Sequence, residues 1–117
     1  MQRLFMQLSE RDKSYLWDIQ DACNDICDFI DNTSFNDFQN DKMKRFAVER
    51  QLLVIGEATN HLSDDFKNAN DSIPWKLMIG LRNIIAHEYG EILVERIYKI
   101  SVENIQTLKS NISKFID

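Results

Sequence analysis

Between Asp12 and Ile30 the apolar residues fall at Leu16, Ile19, Ala22, Cys23, Ile26, Phe29 and Ile30. They recur at three- and four-residue steps with no strand-like alternation, and that spacing commits the segment to an amphipathic helix. The polar cluster Asp31-Asn32-Thr33-Ser34 ends it, because these side chains compete for backbone hydrogen bonds. Phe35-Asn36-Asp37-Phe38 then reads as a short turn held by two aromatics. A second helix is expected from near Asp41, carrying Phe46, Leu52, Leu53, Ile55, Gly56, Thr59 and Leu62, and breaking at Ser63-Asp64-Asp65. Pro74 suits the first position of a third helix, where its missing N–H costs nothing. That helix runs through Trp75, Leu77, Met78, Leu81, Ile84 and Ile85, with Gly90 as its left-handed stop. A last helix extends from about Leu93 through Ile97, Ile100, Ile105, Leu108 and Ile112 to Phe115.

Four helices with short connections predict an all-α, up-down four-helix bundle. A chain of 117 residues is one domain by size, residues 1–117. Gly56 and Gly80 both fall inside expected helices, where each costs about 1 kcal/mol against alanine, so a close approach of two helices is expected at both, with a gap for a ligand as the alternative.

The formal charge of −5 argues against a protein that coats nucleic acid non-specifically, since that binding rests on Lys and Arg displacing counterions. A local basic group remains in Lys42, Lys44, Arg45 and Arg50. It reads either as a solvated helix face or as a guide for an anionic ligand. Cys23 and Cys27 are four apart, on one helical face, a poor geometry for a disulfide, and they read as core thiols in a reducing compartment. No second Cys pair or suitably spaced His completes a metal site. Met1-Gln2-Arg3-Leu4-Phe5-Met6 lacks the apolar core of a secretory signal, and no apolar run is long enough to span a bilayer, so a cytoplasmic location is expected.

The polar groups that carry chemistry crowd into Arg82-Asn83-Ile84-Ile85-Ala86-His87-Glu88-Tyr89. On an ideal helix Asn83 and His87 share one face and Arg82 and Tyr89 another, while Ile84 and Ile85 turn inward. Arginine offers a planar fork of donors that fits a phosphate, and histidine exchanges protons near neutral pH. RNA supplies its own nucleophile, the 2′-OH, so cleavage needs only proton transfer at that hydroxyl and at the 5′ leaving oxygen, with charge stabilisation at phosphorus and no metal. One histidine serves poorly as base and acid at once, which makes a site built from two copies across a two-fold axis attractive. A second reading of the same residues is structural: an Arg and a His near a helix C-terminus complement its dipole and cap its last carbonyls.

The segment from Arg82 to Tyr89 resembles the R-x4-H-x-Y signature of HepT-type HEPN ribonucleases, including a polar residue after the arginine, here Asn83. Val54-Ile55-Gly56-Glu57-Ala58, Ile73-Pro74-Trp75, Ile79-Gly80-Leu81 and the opening Arg11-Asp12 through Leu16-Asp18-Ile19 resemble the same family in the same order. The resemblance covers nearly the whole chain. It implies the HEPN fold, a symmetric homodimer or higher oligomer, no cofactor, and a metal-independent endoribonuclease toxin of a type VII toxin–antitoxin system. Within that family pattern Arg82 would bind and polarise the scissile phosphate, His87 would transfer protons, and Asn83 would position substrate or the catalytic pair. The implied partner is an MntA-type nucleotidyltransferase antitoxin that moves AMP from ATP onto the motif tyrosine, here Tyr89.

Outside the motif, Glu57 could pair with Arg82, orient His87, or satisfy a neighbouring helix end as a buried carboxylate. His61 reads as a cap or surface residue and Trp75 as a packing anchor. Two other functions stay on the table. One is a non-catalytic module that binds nucleotide or presents substrate to a partner transferase, suggested by the acidic charge. The other is a helical DNA-binding repressor, for which no recognition helix with exposed base-reading side chains is evident.

Overall fold

The computed structural model describes residues 8–116, and their regular structure is entirely helical. The Met1 to Met6 segment lies outside the described residues. Helix α1 (Glu10–Ile30) starts ahead of the expected Asp12 because Ser9 caps it, its Oγ accepting from the Asp12 N–H at 3.0 Å. The Asp12 carboxylate is buried and turned to another use. It accepts from the Ser63 N–H at 2.8 Å and from Ser63 Oγ at 2.6 Å, tying the start of α1 to a residue 51 positions away.

The Phe35–Phe38 turn is a short helix, α2 (Phe35–Gln39), capped by Ser34. Its two aromatics anchor as expected: both rings pack on Tyr98, at 5.5 and 5.4 Å between centroids, and Phe38 is fully buried. Helix α3 (Lys42–His61) follows, with Asp41 as its cap. The polar run after it does break the helix, but Ser63 at once caps a further helix that periodicity did not reveal, α4 (Asp64–Ala69). Its Phe66 is buried against Trp75 and Phe115, and the Trp75 indole N–H donates to the Lys67 and Asn70 carbonyls. Trp75 is thus the packing anchor its position suggested.

The expected third helix is two pieces, α5 (Trp75–Ile79) and α6 (Leu81–His87), parted at Gly80. Pro74 sits at the cap of α5, one residue ahead of the first helical position. Gly90 does adopt the left-handed conformation, φ +61, but it opens the next helix rather than closing α6, which ends at His87 with Glu88 extended. Helix α7 (Gly90–Lys99) therefore begins earlier than Leu93. It continues through a π-helical segment, Ile100–Asn104, into α8 (Ile105–Ile116). The Ile105 N–H bonds the Ile100 carbonyl five residues back, so Ile100 and Ile105 both face the core although five positions separate them.

The core joins Leu16, Ile19, Cys23 and Ile26 of α1, Val48, Leu52 and Ile55 of α3, Met78 and Leu81 of the α5–α6 pair, and Ile97, Ile105, Leu108 and Ile112. Helix α1 packs mainly on α3 and α8, and α3 also carries the α5–α6 corner. Gly56 makes that second contact close: a Cβ there would stand 3.1 Å from the Met78 carbonyl oxygen and 3.8 Å from the Arg82 nitrogen. The expected close approach holds for Gly56. It does not hold for Gly80, whose nearest neighbours are carbonyls of its own preceding turn. Among the described residues no helix is long and apolar enough to cross a membrane.

Candidate active site

Because α6 begins at Leu81, Arg82 lies in its first turn and His87 is its last residue. Arg82, Asn83, Ala86 and His87 are all exposed, while Leu81 is buried and Ile84 and Ile85 are half-buried against the core. Asn83 and His87 share a flank of the helix as the spacing required. Arg82 sits about 140° from His87 around the axis, on the opposite shoulder of the exposed arc. Tyr89 lies outside the helix in extended backbone, φ −135 and ψ 160, so the face-sharing of Arg82 and Tyr89 that a continuous helix predicted does not occur. Tyr89 is 78% exposed.

The structural reading of the motif weakens for Arg82. A cation in the first turn of a helix faces the positive end of the dipole and reaches none of the last carbonyls. His87 does stand at the negative end, but the closing bond there is made by backbone, Glu88 N–H to the Ile84 carbonyl. The ion pairs among the described residues are His61–Glu57, Lys67–Asp64 and Arg96–Glu88, and Arg82 belongs to none of them. The Arg96–Glu88 pair, 3.0 Å, bridges the turn between α6 and α7 and so holds the backbone that presents Tyr89.

Arg82 opens onto a cavity of about 390 Å3. Helix α1 contributes Tyr15 and Asp18 to its wall, and α3 contributes Arg50, Leu53, Val54, Glu57, Ala58 and His61. Here the structure departs from what spacing suggested for Glu57. It is neither buried nor bonded to Arg82 or His87; its Oε1 meets His61 Nε2 at 3.1 Å, and its side chain is 61% exposed. His61 does not cap α3, whose end is closed by the Leu62 N–H on the Thr59 carbonyl, but its side chain is 40% exposed, the surface placement that its position suggested. The imidazole turns instead onto the Tyr15 ring, 5.2 Å between centroids and 18° from parallel. Sequence reasoning did not place His61 beside a cavity, although the i, i+4 spacing from Glu57 was a signal for the pair. Tyr15 and Asp18 arrive only through the packing of α1 on α3.

The basic group divides. Lys44 Nζ donates to Thr33 Oγ1, Arg45 donates to the Gln39 carbonyl, and Lys42 lies over the Phe46 ring, all local structural contacts. Arg50 alone of the four lines the cavity. Cys23 and Cys27 are free thiols, and burial pushes Cys23 up to about 12, the state of an inert core thiol. No cluster of three metal-ligating side chains occurs among the described residues.

Comparison with known proteins agrees with these features. The family model "Ribonuclease HepT-like" matches residues 19–115. A candidate RNase of Methanocaldococcus jannaschii is 40% identical over 106 residues, 90% of this chain and 97% of that protein. A ribonuclease HepT candidate of Thermococcus cleftensis is 38% identical over 102 residues, 87% of this chain and 93% of its own length. A second candidate RNase of Methanocaldococcus jannaschii is 39% identical over 93 residues, 80% and 77% of the two chains. No solved structure is a significant match. With a family model that spans most of its length and relatives matched nearly end to end, this chain belongs to the HepT-like ribonuclease family.

Proposed function

We propose that this chain is a metal-independent endoribonuclease toxin that acts as a symmetric dimer, with Arg82, His87 and Asn83 as its catalytic groups. The observation that carries the reading is the pair at the two ends of α6: an arginine at the mouth of a cavity that belongs to no ion pair among the described residues, and an exposed histidine at the helix end.

The chemistry follows from what RNA provides. The 2′-OH attacks phosphorus in line, its proton passes to a neutral imidazole, and the P–O5′ bond breaks as the 5′ oxygen takes a proton from an imidazolium. The products are a 2′,3′-cyclic phosphate and a 5′-OH. Arg82 donates to the non-bridging oxygens, whose charge grows as the fifth bond forms to phosphorus. Because Arg82 and His87 occupy opposite shoulders of α6, a two-fold arrangement lets the two His87 rings divide the base and acid roles on one phosphate. Asn83, on the His87 flank, orients the ring or the ribose.

Regulation is assigned to Tyr89. An exposed phenol on extended backbone can enter the site of a nucleotidyltransferase partner. Its oxygen gives its proton to a base of that partner and attacks the α-phosphorus of ATP, pyrophosphate leaves, and the AMP so added places bulk and negative charge beside the RNA path.

Purified protein should cleave RNA in EDTA and leave cyclic phosphate ends, and His87→Ala should abolish both cleavage and growth arrest. Retained cleavage in His87→Ala would overturn the mechanism. After co-expression with the transferase, intact mass should rise by AMP units, and Tyr89→Phe should remove the increment; an unmodified native protein refutes the switch.

A further inference from the structure

The cavity beside Arg82 holds more than a phosphate site requires. Two carboxylates, Asp18 and Glu57, and two guanidinium groups, Arg50 and Arg82, line it, so their formal charges cancel. A pocket for backbone phosphate would carry a positive surplus. A neutral cavity with an aromatic platform suits a nucleobase instead.

The platform is already assembled. Glu57 holds the His61 ring through Nε2 at 3.1 Å, and that ring lies nearly parallel to Tyr15 at 5.2 Å. A flat ring added to this stack gains the usual base–aromatic contribution, about 1–3 kcal/mol, and the apolar side chains of α3 supply the floor beneath it.

The polar groups at the wall select among bases. A carboxylate only accepts hydrogen bonds. Guanine presents two adjacent donors, N1–H and the 2-amino group, which one carboxylate accepts together. Uracil presents a carbonyl on each side of its single N–H, and those oxygens meet carboxylates with repulsion. Glu57 has one oxygen engaged by His61, which leaves Asp18 as the freer acceptor. On the other edge of guanine, O6 and N7 accept from a guanidinium fork, and Arg50 is the one available once Arg82 is occupied by phosphate.

We propose that this cavity is a guanine-binding subsite, with Tyr15 and His61 as the stacking platform, Asp18 as the acceptor for the Watson–Crick edge and Arg50 as the donor to O6 and N7. This rests on the ribonuclease reading above, because Arg82 belongs both to the cavity and to the cutting site. A base seated here belongs to a nucleotide next to the phosphate that Arg82 holds, so cleavage follows sequence.

Two measurements test it. Cleavage sites mapped on a random-sequence RNA pool should show guanine enriched at one fixed position relative to the cut, and Asp18→Asn should reduce that enrichment by on the order of tenfold. Asp18 is exposed, so the variant should melt with the native protein. Separately, GMP titrated into the His87→Ala protein should shift the ring resonances of Tyr15 and His61, and UMP at equal concentration should leave them in place. A nuclease that cuts without base preference, or GMP and UMP acting alike on those rings, overturns the subsite and leaves the ribonuclease intact. A native protein that cuts no RNA overturns the ribonuclease reading, and the GMP titration then decides the cavity on its own.

Discussion

Replacing Gly56 with alanine places a methyl carbon 3.1 Å from the Met78 carbonyl oxygen, with the Leu81 Cβ and the Arg82 nitrogen both at 3.8 Å. The first of these neighbours is backbone, so no rotamer change relieves it; the α5–α6 corner has to move off α3. Overpacking of this kind costs about 1–3 kcal/mol, and the better helix propensity of alanine returns about 1 kcal/mol. The expected net loss is therefore up to about 2 kcal/mol. Gly80→Ala is the internal control. Its new methyl meets only carbonyls of its own preceding turn, at 3.2 and 3.5 Å, and its φ of −73 suits any residue. A small tilt of that turn accommodates it, and reduced freedom of the unfolded chain stabilises by about 0.4–1 kcal/mol. Urea titration of both variants should place the Gly56→Ala midpoint below that of the native protein and the Gly80→Ala midpoint at or above it. The corner that moves carries Arg82, so Gly56→Ala should also lose RNA cleavage at temperatures where it remains folded. If Gly56→Ala is as stable as Gly80→Ala, the contact between α3 and the α5–α6 corner is not as tight as described.

Asp12→Ala should leave the Ser63 N–H and hydroxyl without their acceptor and lower stability by about 1–3 kcal/mol. Asp12→Asn should recover part of the loss, and an alanine variant within about 0.5 kcal/mol of native would show that the tether contributes little. The Cys23 thiol, pushed up to about 12 by burial, should resist iodoacetamide at pH 8 until the protein is unfolded. Its ordinary thiol value is near 8.5, so the unfolded chain ionises first. The stability it contributes is complete below that pH and is lost as pH rises toward the folded value, with a slope of at most about 1.4 kcal/mol per pH unit. Cys23→Ala should remove that part of the alkaline slope in pH-dependent denaturation, and an unchanged slope counts against a buried neutral thiol.

The two long stripes, on α1 and α3, were legible because each buried face repeats at three and four residues over about five turns. The break at Gly80 was not, since a glycine inside an amphipathic run looks the same whether the helix continues or turns. Helix α4 escaped because six residues give too little periodicity to separate a helix from a polar loop, although Ser63 ahead of Asp64 and Asp65 had the makings of a cap. Of the proposed site, Arg82, Asn83, His87 and Tyr89 are legible as neighbours in sequence. The cavity was hidden because its walls come from α1, α3 and α6, and no local spacing connects Asp18 to Arg82. The break at Gly80 also changed the meaning of Arg82, moving it from a helix end, where the dipole explains a cation, to a helix start, where it does not.

The π segment has a bearing on how chains like this one can vary in length. An α-helix that gains one residue must either rotate everything beyond it by about 100° or store the extra residue as a bulge, and Ile100–Asn104 stores it. The surplus residue is confined there, and the two halves keep the orientations they would have in a shorter, uninterrupted helix. Removing one residue between 100 and 104 turns the five-residue step from Ile100 to Ile105 into an ordinary step of four, with Ile97 and Leu108 still facing inward. Removing one within α8 gives no such relief and swings the residues beyond it away from α1. Shorter versions of this helix should therefore be missing their residue at the bulge.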